Sequence, residues 1–303
     1  MLQVSYALLP LQAASVYFFG WRALVLSLVI LACGIATEAL FVFKRGKPVT
    51  SAVLVTCLIF TLSLPPTLPF WMGMVGIIVA VALGKMAFGG FGFNIFNPAM
   101  VGRCFLYVTF PTSMTSTWTD PASGYAAGLS LWAPGPDAVT SATPLIVFKE
   151  GLAASPLAQH FLGTTSGSLG ETSAVLIVLC GAYLFYKKIA SWRMAFSCLL
   201  GAVLASVALN LAGLPGVAPP LLTILSGSFL FGTVFVVTEP VTGAKTRPGQ
   251  WLFGFMIGAL TIVLRGFSNF SEGLMFAVLI MNGLVPLLDQ GVRRLQQGRG
   301  AGA

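Results

Sequence analysis

Residues 21–40 read WRALVLSLVILACGIATEAL, and residues 192–210 read WRMAFSCLLGAVLASVALN. Each opens on a Trp-Arg pair and runs on as an apolar segment long enough to cross a hydrocarbon core, which takes ~20 residues of helix. A second pair keeps the same order. WMGMVGIIVAVALGK from Trp71 lines up with WLFGFMIGALTIVLR from Trp251, and the two end on cations, Lys85 and Arg265. Either the chain is a repeat of two like halves, or Leu/Val/Ala-rich runs resemble each other by composition alone.

Outward from these segments the composition is uniform. Of 303 residues, 57% are hydrophobic and 8% charged, with 34 glycines, a balance that excludes an ordinary soluble domain. Apolar runs predict spans at 2–19, 21–43, 51–64, 70–88, 97–112, 171–188, 192–212, 220–238, 250–266 and 272–291. All must be helices, because lipid offers no partner to an open strand. The expected fold is therefore an all-α integral membrane protein of about ten transmembrane helices. Each group holds five spans, an odd number, so the second group is inverted relative to the first. This gives a first membrane repeat at 1–112, a polar interval at 113–170, a second repeat at 171–291 and a basic tail at 292–303. The N-terminus has no basic leader region and no small-residue cleavage site, and reads as a retained first span.

The third span of each group is interrupted by proline: the first ends at SLPPTLP, the second at VVTEPVTGAKTRPG. Paired short or Pro-broken segments in matching positions point to discontinuous helices around a central site.

Lysine and arginine set the orientation, because cytoplasmic loops carry their excess. With the N-terminus inside, Lys44, Arg45, Lys47, Lys85, Lys187, Lys188, Arg193, Lys245, Arg247, Arg293, Arg294 and Arg299 fall inside. Only Arg22, Lys149 and Arg265 fall outside, and Arg103 lies within a span. Both termini are then cytoplasmic and 113–170 faces outward. The net charge of +8 is accounted for by topology and does not indicate nucleic acid.

Five features invite chemistry. The stretch 84–105, GKMAFGGFGFNIFNPAMVGRCF, offers glycines and an Asn-Pro helix start; it is either a tight turn or a pocket for a planar or polar group near the cytoplasmic face. Arg103 is the deepest intramembrane charge, expected in function or in a buried pair. Glu38, Glu239, Glu272 and Asp289 sit near span ends, where snorkelling or capping explains them. Cys33, Cys57, Cys104, Cys180 and Cys198 lie singly in apolar runs, as packing residues or, less simply, as metal or cluster ligands.

The last feature is GPDAVTSATPLIVFKEG at 135–151. Thr143 suits an N-cap and Pro144 a first helical position, with Gly151 closing a short surface helix. A phosphate on that threonine would also meet free N–H groups and the positive end of the helix dipole.

Four stretches together, RGKPVTSAVLVTCLIFTLSLPPTLPFW (45–71), GKMAFGGFGFNIFNPAMVGRCFL (84–106), DAVTSATPL (137–145) and TEPVTGAKTRPGQWLFGFMIGALTIVLR (238–265), carry a resemblance. In collinear order from about 10 to 290, the chain resembles the family of the D-type membrane protein of the Rnf electron-transport complex and the B-type membrane protein of the sodium-translocating NADH:quinone oxidoreductase. The resemblance implies a covalent FMN, joined by a phosphoester to the last threonine of an [S/T]-G-A-T sequence. Here that sequence reads Thr140-Ser141-Ala142-Thr143, so Thr143 is the implied attachment residue, with Asp137, Thr140, Ser141 and Ala142 shaping the loop. Ser141 stands where the family usually has glycine, and Glu239 where an aspartate is common. The resemblance further implies a flavin transferase acting on the outer face, a bacterial cytoplasmic (inner) membrane location and partner subunits bearing flavin and iron–sulfur groups. Electrons then pass between ferredoxin or NADH and those carriers while Na⁺ or H⁺ crosses the membrane. The B-type relative is also associated with a non-covalent riboflavin. The early start of the first span favours the D type over the B type. A redox-silent carrier for a small polar solute remains the rival reading, since inverted repeats and broken helices serve it as well.

Overall fold

The computed structural model describes residues 1–43, 46, 48–115, 118–122, 124, 127–133, 145, 148, 161, 165–171, 173–214, 216–268 and 272–300. Among them the chain is helical without strands. The helices are α1 Leu2–Phe19, α2 Trp21–Phe43, α3 Ala52–Leu62, α4 Phe70–Val81, α5 Pro98–Thr109 and α6 Pro111–Thr115 in the first part. After the polar interval come α7 Ala174–Tyr186, α8 Trp192–Leu211, α9 Pro220–Leu225, α10 Phe229–Phe235, α11 Arg247–Phe267 and α12 Leu274–Gly300. α4 continues as a π-helical turn, Ala82–Met86.

Local chemistry sets several of these boundaries. Asn97 caps α5 by accepting from the Met100 N–H, with Pro98 at the first helical position, as an Asn-Pro start predicts. Thr246 caps α11 in the same way, again ahead of a proline. Five helices (α1, α2, α8, α11 and α12) are long and apolar enough to cross a membrane. Ala52–Leu62, Phe70–Met86 and Ala174–Tyr186 are shorter apolar helices.

The span expected at 220–238 is not one helix. It breaks at 226–228 into α9 and α10, where Gly227 takes φ +67, a backbone conformation that side chains rarely adopt. In the first half the helix stops at Leu62 and the chain turns through 63–69 before α4. Both third elements are thus discontinuous, the second one earlier than its prolines indicate. α12 runs on beyond 291 as helix to Gly300.

The same packing partnerships recur in both halves. α2 packs on α3 and α4, and α4 on α5; likewise α8 packs on α9 and α11, and α11 on α12. Within each half the paired helices run parallel, since Gly73 meets Leu26 and Ile30 while Gly34 meets Ile77, and Gly254 meets Met194 while Gly258 meets Cys198 and Ala202. α2 and α4 end where Glu38 meets Lys85. Asn97, which lines one cavity with Lys85, bonds to Glu239, and the chain from there leads into the start of α11. One pair therefore ends on the face where the other begins, so the halves are inverted. They meet where α1 packs on α7 and α5 on α12, around a continuous apolar core that includes Phe60, Leu106, Phe231 and Leu274.

The two parallel pairs differ in closeness. A Cβ on Gly258 would stand 2.0 Å from the Cys198 carbonyl oxygen, and one on Gly201 would stand 2.2 Å from that of Phe255. α8 and α11 therefore touch backbone to backbone, the close approach that small residues permit in lipid. Between α2 and α4 the glycines meet side chains instead, Ile30 at Gly73 and Ile77 at Gly34.

Described parts of the polar interval dock on the opposite face. The Trp21 and Arg22 N–H groups donate to the carbonyls of Leu131 and Trp132, at 3.2 and 2.8 Å. Leu169 and Gly170 donate to Leu64 and Leu62, below the end of α3.

Candidate functional site

Among the described residues, two clusters built on buried charges lie inside the bundle, one toward each face. The first surrounds the start of α5. The Asn97 N–H donates to Asn282 Oδ1 at 3.1 Å, and its side-chain amide donates to Glu239 Oε2 at 2.7 Å. Thr242 donates to the same carboxylate oxygen at 2.9 Å, and the Asn282 amide donates to the Thr242 carbonyl. One asparagine thus caps a helix of the first half and ties it to two segments of the second. Nearby, Lys85 Nζ lies 2.6 Å from Glu38 Oε2 and donates to Thr50 Oγ1 at 2.8 Å, while Thr50 donates to Glu38 Oε1 at 2.6 Å. Asn97, Glu239 and Lys85 border a cavity of about 100 Å³ whose lining also includes Phe91, Asn94 and Thr238. The stretch 84–105 is therefore both a turn and a pocket wall.

The second cluster lies toward the other face. Arg103 pairs with Glu272, and Glu171 Oε1 stands 3.9 Å from the same guanidinium. The Ser168 N–H donates to Glu171 Oε2 at 3.2 Å. Next to this cluster, Arg265 at the end of α11 donates to the carbonyls of Thr223 and Ser226, at 3.0 and 3.4 Å, across the break between α9 and α10. It also lies over the Phe229 ring, 5.6 Å from the centroid. Among the described residues its Nε has no partner, nor has the Ser226 hydroxyl.

These geometries correct several expectations. Glu38, Glu239 and Glu272 do not snorkel; Glu38 and Lys85 are only 1% and 2% exposed, and Glu239 and Glu272 are held in the clusters above. Their partners lie far along the chain, a relation that span-end position cannot reveal. Lys85 and Arg265, counted as loop charges, are both buried. Arg22 is spent on the carbonyls of Pro66, Thr67 and Leu68. Arg103 does sit in a buried pair. Asp289 is a cap: it accepts from the Thr246 N–H and hydroxyl, at 3.0 and 2.6 Å, and from the Lys245 N–H. The five cysteines are free thiols.

Asp137, Thr140, Ser141, Ala142 and Thr143 lie outside the described residues. Two residues beyond Thr143, however, Leu145 is buried against Ala218 and Leu222, with Phe148 packed beside them.

Comparison with known proteins places the whole chain. Residues 1–298 match the NQR2, RnfD, RnfE family. The chain is 37% identical to the D-type component of the ion-translocating oxidoreductase complex of Stutzerimonas stutzeri, over 99% of this chain and 92% of that one. It is 35% identical to the D-type component of the proton-translocating ferredoxin:NAD(+) oxidoreductase complex of Clostridium ljungdahlii, over 96% and 88%. To the B-type component of the Na(+)-translocating NADH-quinone reductase of Azotobacter vinelandii it is 36% identical, over 83% of this chain but 62% of that one.

Proposed function

Because this chain belongs to the NQR2, RnfD, RnfE family along nearly its whole length, we propose that it is the D-type membrane component of an ion-translocating oxidoreductase complex of the Rnf kind, carrying FMN on Thr143. The observation that carries the reading is likeness at both ends of scale. Relatives of the D type match almost end to end, and DAVTSATPL at 137–145 has the form of the flavin-attachment sequence. The B-type relative extends well beyond this chain.

When bound, the flavin supplies the redox chemistry; the protein supplies position, charge and exclusion of water. In this reading Lys187, Lys188, Lys245, Arg247, Arg293 and Arg294 mark the cytoplasmic side. The Asn97 cluster then faces the cytoplasm and the Arg265 end faces outward with 113–170, where a flavin transferase acts. Two residues beyond Thr143, Leu145 is buried against Ala218 and Leu222 and lines a small cavity with Arg265 on that side of the bundle. A non-covalent riboflavin would need the cavity at Asn97 to widen, since about 100 Å³ is smaller than its ring system. The remaining subunits supply the ferredoxin or NADH site and the iron–sulfur carriers, and electron flow is coupled to Na⁺ or H⁺ movement.

The test is direct. Co-expression with the flavin transferase is expected to give a fluorescent band on a denaturing gel, lost in Thr143→Ala. A dark wild-type band would overturn the flavin reading and leave the solute carrier.

A further inference from the structure

The Trp-Arg pair that opens α8 stands in a different setting from the pair that opens α2. Trp21 Nε1 donates to the Leu129 carbonyl at 2.9 Å, and the Arg22 guanidinium is spent on the carbonyls of Pro66, Thr67 and Leu68. Among the described residues neither the Trp192 nor the Arg193 side chain makes a hydrogen bond or an ion pair. Instead the Arg193 guanidinium lies over the Trp192 ring, 5.4 Å from the centroid, and Trp192 meets Trp251 of α11 edge to face at 5.9 Å. Phe196 meets the same Trp251 ring at 5.9 Å, and Ser191 Oγ donates to Gln250 Oε1 at 3.0 Å. The starts of α8 and α11 are thus held at one level, with both indoles exposed.

Cations gather around these rings. α7 ends in a turn where the Lys188 N–H donates to the Phe185 carbonyl and the Ile189 N–H to that of Leu184, both at 3.0 Å. This paired-bond helix stop ordinarily places glycine at its left-handed position. Here Lys188 takes it, with φ +54, a conformation that a side chain adopts at a cost. Lys187 and Lys188 are exposed, as is Arg247, which lies one turn before Trp251 on the same face of α11. Among the described residues no carboxylate lies within 4.0 Å of Lys187, Lys188, Arg193 or Arg247. Beyond the rings, every fourth residue of α8 continues an exposed apolar row: Phe196, Leu200 and Leu204.

We propose that the start of α8 is a binding site for an anionic phospholipid. Lys187, Lys188 and Arg193, with Arg247 alongside, take the headgroup phosphate. Trp192 and Trp251 stand at the glycerol level, where amphipathic rings settle, and the acyl chains follow Phe196, Leu200 and Leu204. The occupant follows from charge and layering: unpaired cations, indoles and an apolar row succeed one another in the order of a phospholipid's own parts. A lysine strained at a glycine's position is accounted for when its charge is used, since glycine would make the turn without strain. On the orientation above, the lipid belongs to the cytoplasmic leaflet. The inference needs the membrane setting and is independent of the flavin.

The full chain, purified with its complex and delipidated in detergent, is titrated with phosphatidylglycerol or phosphatidylcholine and read by native mass spectrometry. Wild type is expected to prefer phosphatidylglycerol, by a margin that shrinks as salt rises. Lys187→Gln, Arg193→Gln and Lys188→Gly are each expected to weaken phosphatidylglycerol binding by roughly five-fold, the worth of one cation at an anionic surface, with phosphatidylcholine unaffected. Lys188→Gly also separates the site from the fold: it relieves the turn, so the lipid-free thermal midpoint should rise while phosphatidylglycerol binding falls. Inorganic phosphate, which lacks acyl chains, should not displace the lipid. Equal affinity of wild type and variants for phosphatidylglycerol would overturn the inference, as would displacement by inorganic phosphate. Loss of a partner subunit from the variants, with phosphatidylglycerol binding intact, would overturn it as well and assign the face to that subunit.

Discussion

Lys85 and Arg265 end equivalent helices of the two halves, and both are buried, yet they are neutralised in different ways. Lys85 closes a local circuit with Glu38 and Thr50. Among the described residues Arg265 meets two backbone carbonyls and the Phe229 ring, with Leu209 at the position matching Glu38. The same helix end thus carries a buried cation in both halves, answered by a carboxylate in one and by the freed carbonyls of a broken helix in the other. The first half holds its cation in a charge pair, and the second holds its cation as the clasp across the break between α9 and α10.

The strongest way to break this contrast is Lys85→Met, which strands Glu38 in the core. Removing one member of a buried pair costs about 3–5 kcal/mol, so a large drop in the thermal midpoint in detergent is expected, with most of it recovered when Glu38→Leu is added. Glu272→Gln beside Arg103 is expected to cost less, about 2 kcal/mol, because Glu171 remains 3.9 Å from the guanidinium. Arg265→Met in the flavin-free chain should cost only about 1 kcal/mol. It loses two bonds to carbonyls but also removes an uncompensated charge, and the two terms oppose. An effect as large as that of Lys85→Met would erase the distinction. The smallest change sharpens it: Leu209→Glu returns an acid to α8, and is expected to raise the thermal midpoint of the flavin-free chain slightly.

Much of this fold is readable along the chain because lipid imposes a strict rule on it. The Trp-Arg starts at 21 and 192 and the length of α2, α8 and α11 follow from apolar runs and their punctuation. The Asn97-Pro98 start of α5 is equally legible, since an N-cap and its proline are neighbours in sequence. The break at 226–228 is not, because SGS interrupts an apolar run too briefly to be told from small residues packed within one helix; Gly227 shows itself only by its positive φ. Nor are the polar clusters. Glu38 and Lys85 are 47 positions apart, and Asn97 and Glu239 are 142. A charge close to the end of an apolar run has the same local signature whether it reaches water or a partner. Thr143 is singled out by sequence resemblance alone, while the setting of Arg265 needs the structure, since only there do its carbonyl partners across the α9–α10 break appear.

The glycine contacts between α8 and α11 have a mechanical consequence. Two helices in contact along their backbones have no compressible side chains between them, so they slide or tilt only as a single beam. α2 and α4, separated by Ile30 and Ile77, have a layer that can repack. A shift between α2 and α4 can therefore be absorbed by side-chain repacking, whereas α8 and α11 would carry what lies at their ends as one unit.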